Sequence, residues 1–258
     1  MSTRSGLASV LAGAVVLVAA IGGSSPAAHP DPRPRTLDLL ASAHPSSDMP
    51  TVSDTAYGAI RVRGPAVEAD TAALTSTTCA DCVGESTALH VVYVPRALQA
   101  TLDNVATAWA QECRGCTSTA LSVQVVVLGG RPTAVPNNRA LSLTAACDGC
   151  RTAALAFQVV LVADRVAPLS DEELRGLQAW VDEQAASLRT LVAAPLSDPP
   201  TPTPTDGPTA TVTPVPTTPS STRAAVRRDA VSALGELEQL LTAALDAESV
   251  SSEVNLDR

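Results

Sequence analysis

The residues of this chain with the clearest capacity for chemistry are its six cysteines, which occur as three Cys-x-x-Cys pairs. The three pairs recur at a constant interval along the chain. Cysteines at this spacing form structural disulfides, exchange disulfides with other thiols, or bind zinc. The constant period indicates internal duplication of one unit. The pairs are Cys79 and Cys82, Cys113 and Cys116, and Cys147 and Cys150.

Local geometry favours a disulfide bond within each pair. The first and fourth residues of a tight turn have Cα atoms within about 7 Å of each other, and a disulfide needs roughly 4.4 to 6.8 Å. Bridges between different pairs stay open as an alternative, because closing a loop of about 35 residues constrains the unfolded chain by about 4 kcal/mol, against about 2 kcal/mol for a local loop. We therefore predict structural bridges at all six cysteines, with local pairing favoured.

Disulfide exchange and zinc binding are two alternative roles for the same cysteines. A reactive thiolate is favoured by a helix N-terminus or by positive charge. Strand patterns follow these pairs, and Asp81, Glu112 and Asp148 lie in or beside them, whereas Arg114 and Arg151 would favour a thiolate. Two pairs could form a tetrahedral zinc site, with the third pair left over. The leading interpretation has no metal and no other cofactor, and both alternatives stay open.

The runs that follow the cysteine pairs alternate in the manner of β-strands. In the third copy, Leu155 and Phe157 alternate with Ala156 and Gln158, and a period of two with β-branched residues is typical of a strand. An Asp-Gly sequence at 148–149 separates this run from another alternating run upstream, and it is a strong hairpin signal. We therefore predict a mainly β fold with three Cys-x-x-Cys β-hairpin repeats in an antiparallel sheet or sandwich.

The apolar runs of the three copies can be aligned by residue identity. Matching the Ser-Thr-Ala-Leu sequence at Ser86 with the one at Ser118 places two additional residues in the first copy, between the cysteine pair and its run. Gln124 and Gln158 recur at matching positions, and His90 also alternates with apolar neighbours. We predict that these three polar side chains lie on the surface of the sheet.

Composition excludes several classes of protein. The chain has 258 residues, a formal net charge of −9 and a pI near 4.7, whereas a nucleic-acid-binding domain needs a basic patch. All 17 basic residues are arginine, which excludes a Schiff-base lysine, a P-loop lysine and a Ser-x-x-Lys nucleophile. No His-Glu-x-x-His, Gly-x-Ser-x-Gly or Gly-x-Gly-x-x-Gly motif occurs. We therefore predict no nucleic-acid partner, no catalytic residues and a role other than that of an enzyme.

Residues 1–28 have the layout of a secretory signal peptide. Arg4 precedes an uncharged apolar stretch at 7–21, and small residues suit cleavage after Ala27. The apolar stretch is shorter than the about 20 residues that a membrane span needs. We predict an exported protein, extracellular or associated with the cell envelope, that contacts a membrane only through an uncleaved signal. Residues 29–55 are rich in Pro, Ser, Asp and Ala without a sustained period, which predicts a disordered lead-in.

The remaining chain divides into three parts. Residues 56–194 form the predicted β-repeat domain, closed by an amphipathic helix whose capping box is Ser170 with Glu173. Residues 195–221 are rich in Pro and Thr and predict an extended linker. Residues 222–258 predict a separate amphipathic helix and a tail, and this helix is a candidate for self-association.

The third repeat carries a resemblance to known proteins. Its sequence Ala146-Cys-Asp-Gly-Cys-Arg-Thr-Ala-Ala-Leu-Ala-Phe-Gln-Val-Val-Leu161, with the helix that starts at Ser170, resembles a poorly characterised group of exported proteins from high-GC Gram-positive bacteria. Similar repeats occur in the extracytoplasmic tail of some proteins labelled as peptide zinc metalloproteases. The likeness spans roughly residues 55–194, and the chain lacks the metal-binding motif of those proteases. The resemblance therefore implies export without protease activity and assigns no functional residue.

These features together predict an exported, disulfide-stapled binding or envelope-structural module. Its partner is an unidentified envelope or extracellular component. The two alternatives are an enzyme that exchanges disulfides through the Cys-x-x-Cys pairs and a structural zinc-binding protein.

Overall fold

The structure is a computed structural model that describes residues 35–130, 132–193 and 221–258. The predicted signal peptide at 1–28 and the predicted linker at 195–221, except for its last residue, lie outside the described residues. The described chain contains nine strands and two helices. None of these helices is both long enough and apolar enough to cross a membrane.

Eight of the strands form a solenoid of two parallel sheets, because successive strands alternate between the sheets. Each coil of the solenoid contributes one strand to sheet A and one strand to sheet B, and neighbouring strands within a sheet come from successive coils. Sheet A contains β1 (Arg35–Ala43), β3 (Ala66–Thr77), β5 (Gln99–Gln111) and β7 (Thr133–Ala145). Sheet B contains β2 (Thr51–Arg61), β4 (Val83–Val94), β6 (Thr117–Gly129), β8 (Arg151–Ala163) and, at its edge, β9 (Glu248–Asp257).

The prediction of a mainly β fold is confirmed, whereas the predicted hairpins and the antiparallel pairing of the repeats are wrong. The strands on either side of each cysteine pair lie in different sheets, and each pairs in parallel with the equivalent strand of the next coil. Strand β8 shows why: Leu155 packs outward against helices, while Ala156 packs inward between the sheets. Burial on both faces is typical of parallel sheets and not of hairpins with one solvated face.

From β4 to β6, each strand pairs with the equivalent strand of the next coil at a constant offset. Ser86 pairs with Ala120, and Thr117 pairs with Arg151, at the same offset that separates Cys113 from Cys147. Strands β4 and β6 pair without a shift. The alignment by residue identity was therefore wrong to place an insertion of two residues in the first copy. Between β3 and β5 the offset is shorter by one, as in the pair Ser76 and Trp109. The irregularity of the first copy thus lies upstream of its cysteine pair.

The β domain also begins earlier than residue 56. Strands β1 and β2 form a first coil without cysteines, and they pair in parallel with β3 and β4 of the second coil. The prediction of a disordered lead-in is therefore wrong for residues 35–55, which contain β1, the loop after it and the start of β2. This coil lies at the end of the solenoid, where β2 is largely exposed. Fewer apolar side chains are needed there, so the alternation that marks the later strands is weak.

Small side chains fill the middle of the layer between the two sheets. Because alanine is short, a polar side chain of one sheet can reach the backbone of the other: Nδ2 of Asn104 donates to the carbonyl oxygen of Phe157 at 2.8 Å. Larger residues such as Leu102 and Val126 pack at one end of the layer. The buried alanines in the middle of the layer are Ala41, Ala73, Ala88, Ala106, Ala108, Ala120, Ala154 and Ala156.

Helix α1 (Asp171–Ala193) closes the outer face of sheet B. It begins after the predicted capping box: the Ser170 amide donates to Glu173 Oε2 at 2.7 Å, and the Glu173 amide donates to Ser170 Oγ at 3.3 Å. The ring of Trp180 meets that of Phe157 edge to face at 5.2 Å. The predicted closing helix is therefore confirmed, and its buried residues are Leu177, Val181, Leu188, Leu191 and Val192.

The predicted C-terminal helix is present as α2 (Ser221–Leu245). Leu237 and Leu241 are fully buried in the same apolar cluster as Phe157, so the apolar side of α2 is occupied within the chain's own core. The predicted tail is wrong for residues 248–257, which form β9 and pair antiparallel with β8. The local signal of β9 is weak because four of its ten residues are Ser or Asn.

Candidate functional site

The three cysteine pairs lie at one corner of the solenoid, where the chain passes from sheet A to sheet B. Backbone hydrogen bonds join each turn to the next. The amide of Asp81 donates to the carbonyl of Arg114 at 2.7 Å, and the amide of Gly115 donates to the carbonyl of Asp148 at 2.9 Å. The corner therefore stacks three cysteine turns, one for each of three successive coils.

Left-handed backbone conformations shape these turns. Gly115 and Gly149 have φ values of 66° and 67°, and Asp81 takes the equivalent position with a φ of 56°. A second left-handed residue precedes each of the two later pairs, Glu112 and Ala146, both with a φ of 52°. Glycine and aspartate adopt this region more readily than most residues. The Asp-Gly sequence of the last turn thus marks a corner between sheets and not a hairpin.

Two of the three turns contain a local disulfide, with Cα atoms 5.5 Å apart in the first turn and 6.2 Å apart in the second. Both distances suit an ordinary disulfide, which needs roughly 4.4 to 6.8 Å. The cysteines of the third turn are thiols, so the corner combines two oxidised turns with one reduced turn. The bridges are Cys79–Cys82 and Cys113–Cys116, and the thiols are Cys147 and Cys150.

The second bridge and the third pair form a cluster of four sulfur atoms across two coils. Sγ of Cys113 lies 3.4 Å from Sγ of Cys147 and 3.5 Å from Sγ of Cys150. On the other side, Sγ of Cys116 lies 2.9 Å from the carbonyl oxygen of Cys79. Sulfur atoms in direct contact can exchange a disulfide or, when all are thiolates, share a soft metal ion.

The metal-binding capacity of this cluster depends on its oxidation state. Sγ atoms of Cys113, Cys116 and Cys150 all lie within 4.8 Å of one another. Zinc–sulfur bonds of about 2.3 Å in a tetrahedral site place sulfur atoms about 3.8 Å apart, so this spacing is close to what zinc needs. Two of the three sulfurs belong to a disulfide, and a disulfide sulfur is not a thiolate ligand. The residues therefore fit zinc only after reduction of that bridge.

Access to the sulfur cluster is uneven. Cys116 is fully buried, whereas Cys113 and Cys147 line a solvent-open groove with Arg114 and Asp148. Burial raises the pKa of the Cys150 thiol, and its hydrogen bond to Cys147 adds to this effect. A strand and not a helix follows the dithiol, so no helix N-terminus stabilises a thiolate there. Cys147 is therefore the member of the third pair that lines the open groove.

A column of polar side chains lies inside the solenoid, where the sequence predicted surface residues. His90, Gln124 and Gln158 pair in register on successive strands, at the interval of the repeat. The surface prediction is wrong, because their exposed fractions are 4%, 0% and 1%. Nε2 of Gln124 donates to the carbonyl of Ala69 in sheet A at 2.8 Å. The constant spacing of the three residues was the signal that could have revealed the column, since only stacked coils bring such positions together.

His90 lies at one end of this column, where burial favours the uncharged form of its ring. Its Nδ1 lies 3.2 Å from the hydroxyl oxygen of Thr71. Burial lowers the pKa of His90, and this effect outweighs a hydrogen bond with the Asp70 backbone and the charge of Asp38, both of which raise it. The column therefore contributes buried packing and hydrogen bonds between the two sheets.

The outer face of sheet A carries a row of carboxylates. Asp38 pairs with Asp70, and Asp70 pairs with Asp103, so the three residues lie side by side on parallel strands. Arg139 forms an ion pair of 3.3 Å with Asp103. Burial raises the pKa of Asp70, and the charges of Asp103, Asp38 and Glu68 raise it further. The row is therefore a patch of mutually repelling negative charge.

Apolar side chains lie on the same face, about 20 Å from this row along the strands, because six residues of β5 separate Asp103 from Trp109. Trp109 pairs with Leu143, and Trp109, Leu141 and Leu143 are 39%, 54% and 44% exposed. The outer face of sheet B is instead covered by α1 and α2. Within the part of the chain that the structure describes, no helix covers the outer face of sheet A. No role for this face was predicted, because local sequence patterns do not place these strands in one parallel sheet.

The chain matches no protein-family model, no curated protein and no solved structure. The resemblance to exported Cys-x-x-Cys repeat proteins therefore stays a prediction.

Proposed function

We propose that this chain is an exported, disulfide-stapled β-solenoid that binds a cationic protein partner at the outer face of sheet A, as a binding or structural module of the cell envelope. The observation that carries the proposal is the difference between the two outer faces. Helices α1 and α2 bury one face in the largest apolar cluster of the described chain, whereas no helix of the described residues covers the other face, which combines charge with apolar surface.

The carboxylate row defines the charge of the partner. Neighbouring parallel strands lie about 4.8 Å apart, so Asp38, Asp70 and Asp103 present negative charges at a spacing that repeats across the sheet. Like charges directly opposite each other are destabilising. A cation placed over Asp70 would relieve that repulsion, and the ion pair of Arg139 with Asp103 is an internal example of a guanidinium seated on this row.

The apolar part of the face indicates that the partner also carries apolar side chains. Trp109 and Leu143 are neighbours on the same face of sheet A as the row, and exposed aromatic residues are the usual anchors of protein interfaces. A protein surface that carries arginine or lysine in one region and apolar side chains in another matches both the carboxylate row and the apolar part of the face. Small anions and nucleic acid do not match, because both are negative.

Export is supported by the chemistry of the corner and by the predicted signal peptide. Disulfides persist in oxidising compartments and are rare in the cytosol, and the structure contains two of them. We expect the chain expressed in a secreting host to be recovered from the medium or envelope without residues 1–27. Alkylation followed by mass spectrometry measures its thiols, and six free thiols in the exported fraction would contradict the stapled module.

Binding is tested with defined peptides on the full chain. The probe is a labelled strand-forming peptide in which the side chains of one face are arginine in one half and leucine in the other, with threonine at the intervening positions. The matched control peptide has glutamate in place of arginine. We expect the arginine peptide alone to bind, with an affinity that falls as salt is added. Asp70→Asn and Trp109→Ala should each weaken binding about tenfold, the scale of one interface anchor.

The control variant for charge is Asp164→Asn, which removes one carboxylate from an exposed bend directly after β8 of sheet B. It should leave the affinity for the arginine peptide unchanged. Equal effects of Asp70→Asn and Asp164→Asn would show that net charge alone attracts the peptide. Equal binding of both peptides, or none, would also overturn the proposed face.

Zinc binding is a second candidate, favoured by the close approach of the Sγ atoms of Cys113, Cys116 and Cys150. It requires the second bridge to be reduced, so the test uses full-length protein prepared with reductant and zinc. Stoichiometric metal that is lost in Cys150→Ser would support it. Folded, reduced protein that retains no zinc after dialysis would end it.

A further inference from the structure

We propose that the third and fourth coils exchange a disulfide at the corner: Cys147 attacks Sγ of Cys113, the Cys113–Cys116 bridge breaks, and a bridge between Cys113 and Cys147 joins the two coils. This goes beyond the proposed binding function, because it concerns a covalent rearrangement within the chain. The reactants are one disulfide and one dithiol whose sulfur atoms are already in contact.

The sulfur atoms that must form the new bond are the closest pair across the two coils. Sγ of Cys147 lies 3.4 Å from Sγ of Cys113. Both residues occupy the same position in their turns, one repeat apart, and strands of adjacent coils lie about 4.8 Å apart. That separation falls within the Cα–Cα range of roughly 4.4 to 6.8 Å that a disulfide accepts.

The backbone around the two cysteines already has the arrangement that the new bridge requires. The Asp148 amide donates to the Cys113 carbonyl at 3.2 Å, and the Arg151 amide donates to the Cys116 carbonyl at 2.8 Å. The Glu112 amide donates to the carbonyl oxygen of Ala145 at 3.0 Å. The turns are therefore held together on both sides of the sulfur atoms, and only side-chain rotation separates the two bridged forms.

Cys147 is the attacking residue on grounds of access. Cys147 and Cys113 both line the open groove of the corner, so solvent can accept the proton that the Cys147 thiol releases. Cys150 lies almost as close to Cys113, at 3.5 Å, but burial and its hydrogen bond to Cys147 raise its pKa. The raised pKa lowers the thiolate fraction of Cys150, which slows its attack on a disulfide, and Cys150 does not line the open groove.

The exchange conserves atoms and electrons without an external oxidant. A lone pair of the Cys147 thiolate forms the new S–S bond, and the electron pair of the broken bond leaves with Cys116, whose thiolate then takes up a proton. The chain has one bridge and two thiols at these four positions before and after. The Cys79 carbonyl, 2.9 Å from Sγ of Cys116, is placed to accept a hydrogen bond from the new thiol.

The exchange changes what the bridge constrains. The local bridge closes one turn, whereas the bridge between Cys113 and Cys147 closes a loop as long as one whole repeat and fixes the fourth coil to the third. A longer closed loop constrains the unfolded chain more. The corner thus holds two alternative staples for the coil on which α1 and β9 pack.

Tryptic mapping of the full-length protein distinguishes the two bridges, because arginines separate the cysteines. Cleavage yields residues 97–114 with Cys113, residues 115–139 with Cys116, and residues 140–151 with both cysteines of the third turn. The protein is incubated at a pH of about 8.5, near the ordinary thiol pKa, then alkylated in acid, denatured and digested. We expect a linkage between 97–114 and 140–151 that grows to a plateau, with equal growth of alkylated Cys116.

Two variants assign the attacking residue. Cys147→Ser should abolish the linkage between 97–114 and 140–151, and Cys150→Ser should retain it. The proposal is overturned if wild-type protein shows only the linkage of 97–114 to 115–139 at all times. It is also overturned if the purified protein contains a third local bridge and no thiol, or if Cys147→Ser retains the linkage while Cys150→Ser loses it.

Discussion

Nε2 of Gln158 donates a hydrogen bond of 2.8 Å to Oε1 of Gln124, the equivalent residue of the preceding coil. Gln124 in turn donates to the carbonyl oxygens of Ala69 at 2.8 Å and Asp103 at 3.0 Å. The column therefore ties the two sheets together through side chains. Because it is fully buried, these hydrogen bonds form where no water competes.

Removal of Gln124 from this column should destabilise the fold. In Gln124→Ala, Nε2 of Gln158 loses its acceptor, the carbonyl oxygens of Ala69 and Asp103 lose their donor, and a cavity forms. The free energy of unfolding should therefore fall by about 3 kcal/mol. Urea denaturation followed by circular dichroism measures the change. The control Gln99→Ala removes the same side chain from an exposed position of β5 and should change stability by less than about 0.5 kcal/mol. Equal effects of the two variants would contradict the structural role of the column.

The buried histidine should make stability depend on pH. Burial lowers the pKa of His90 in the folded chain below the ordinary value of 6.5, so the unfolded chain binds more protons at pH values between the two. Stability should therefore be fully present above 6.5 and decrease as the pH falls toward the folded pKa, by at most about 1.4 kcal/mol per pH unit.

The matched variant for this prediction is His90→Gln, which continues the side-chain type of Gln124 and Gln158 in the column. The difference in unfolding free energy between wild type and variant removes the pH-dependent contributions that both proteins share. Thermal unfolding at a series of pH values measures this difference. Below pH 6.5, the wild type should become less stable relative to the variant as the pH falls. A constant difference would show that His90 titrates alike in both states.

The cap of α1 gives a local prediction. Ser170→Ala removes the hydroxyl that binds the Glu173 amide and side chain, and loss of such a cap costs about 1 kcal/mol. Hydrogen exchange should increase first in the N-terminal turn of α1. Ser187→Ala, on the exposed side of the same helix, should be neutral or slightly stabilising, because alanine has the higher helix propensity. A larger loss in Ser187→Ala would contradict the assignment of the cap.

The C-terminal strand should protect the open end of the solenoid. Nδ2 of Asn255 donates to the Asn138 carbonyl at 2.7 Å, and Nδ2 of Asn138 donates to the Glu253 carbonyl at 3.0 Å, so β9 binds both sheets. Deletion of residues 248–258 should expose the edge of β8 to pairing with another chain. Size-exclusion chromatography should then show larger species than the full chain forms, while Asn255→Ala should only lower stability by about 1 kcal/mol. An unchanged elution volume after deletion would refute this role of β9.

The carboxylate row should cost stability at neutral pH. Asp70→Asn removes a charge that faces Asp38 and Asp103, and relief of such repulsion is worth about 0.2 to 1 kcal/mol. Because burial and neighbouring charges raise the folded pKa of Asp70, the wild type should approach the stability of the variant as the pH falls through that pKa. Denaturation at neutral and acidic pH measures this convergence, and a variant less stable than wild type at neutral pH would contradict it.

Features that depend on neighbours in the chain could be predicted from the sequence. The alternation of Leu155 and Phe157 with smaller residues identifies a strand whatever it pairs with, and Ser170 with Glu173 identifies the start of α1 by hydrogen bonds within one turn. The constant interval between the cysteine pairs also identifies the repeat. Strand β9 was missed, because its pairing with β8 depends on a distant partner that its own composition does not indicate.

What the sequence determined by itself is the period, the residues that repeat, and the strands and helices with strong local patterns, because these follow from local propensity and spacing. Only the tertiary structure decided that the cysteine turns are corners and that Gln124 faces inward. The physical reason is that a strand with two buried faces has the same local pattern in a hairpin and in a parallel solenoid. The choice between them depends on which distant strands and helices cover those faces, and this also decides that α1 and α2 pack on sheet B and leave the Asp70 face of sheet A uncovered by either helix.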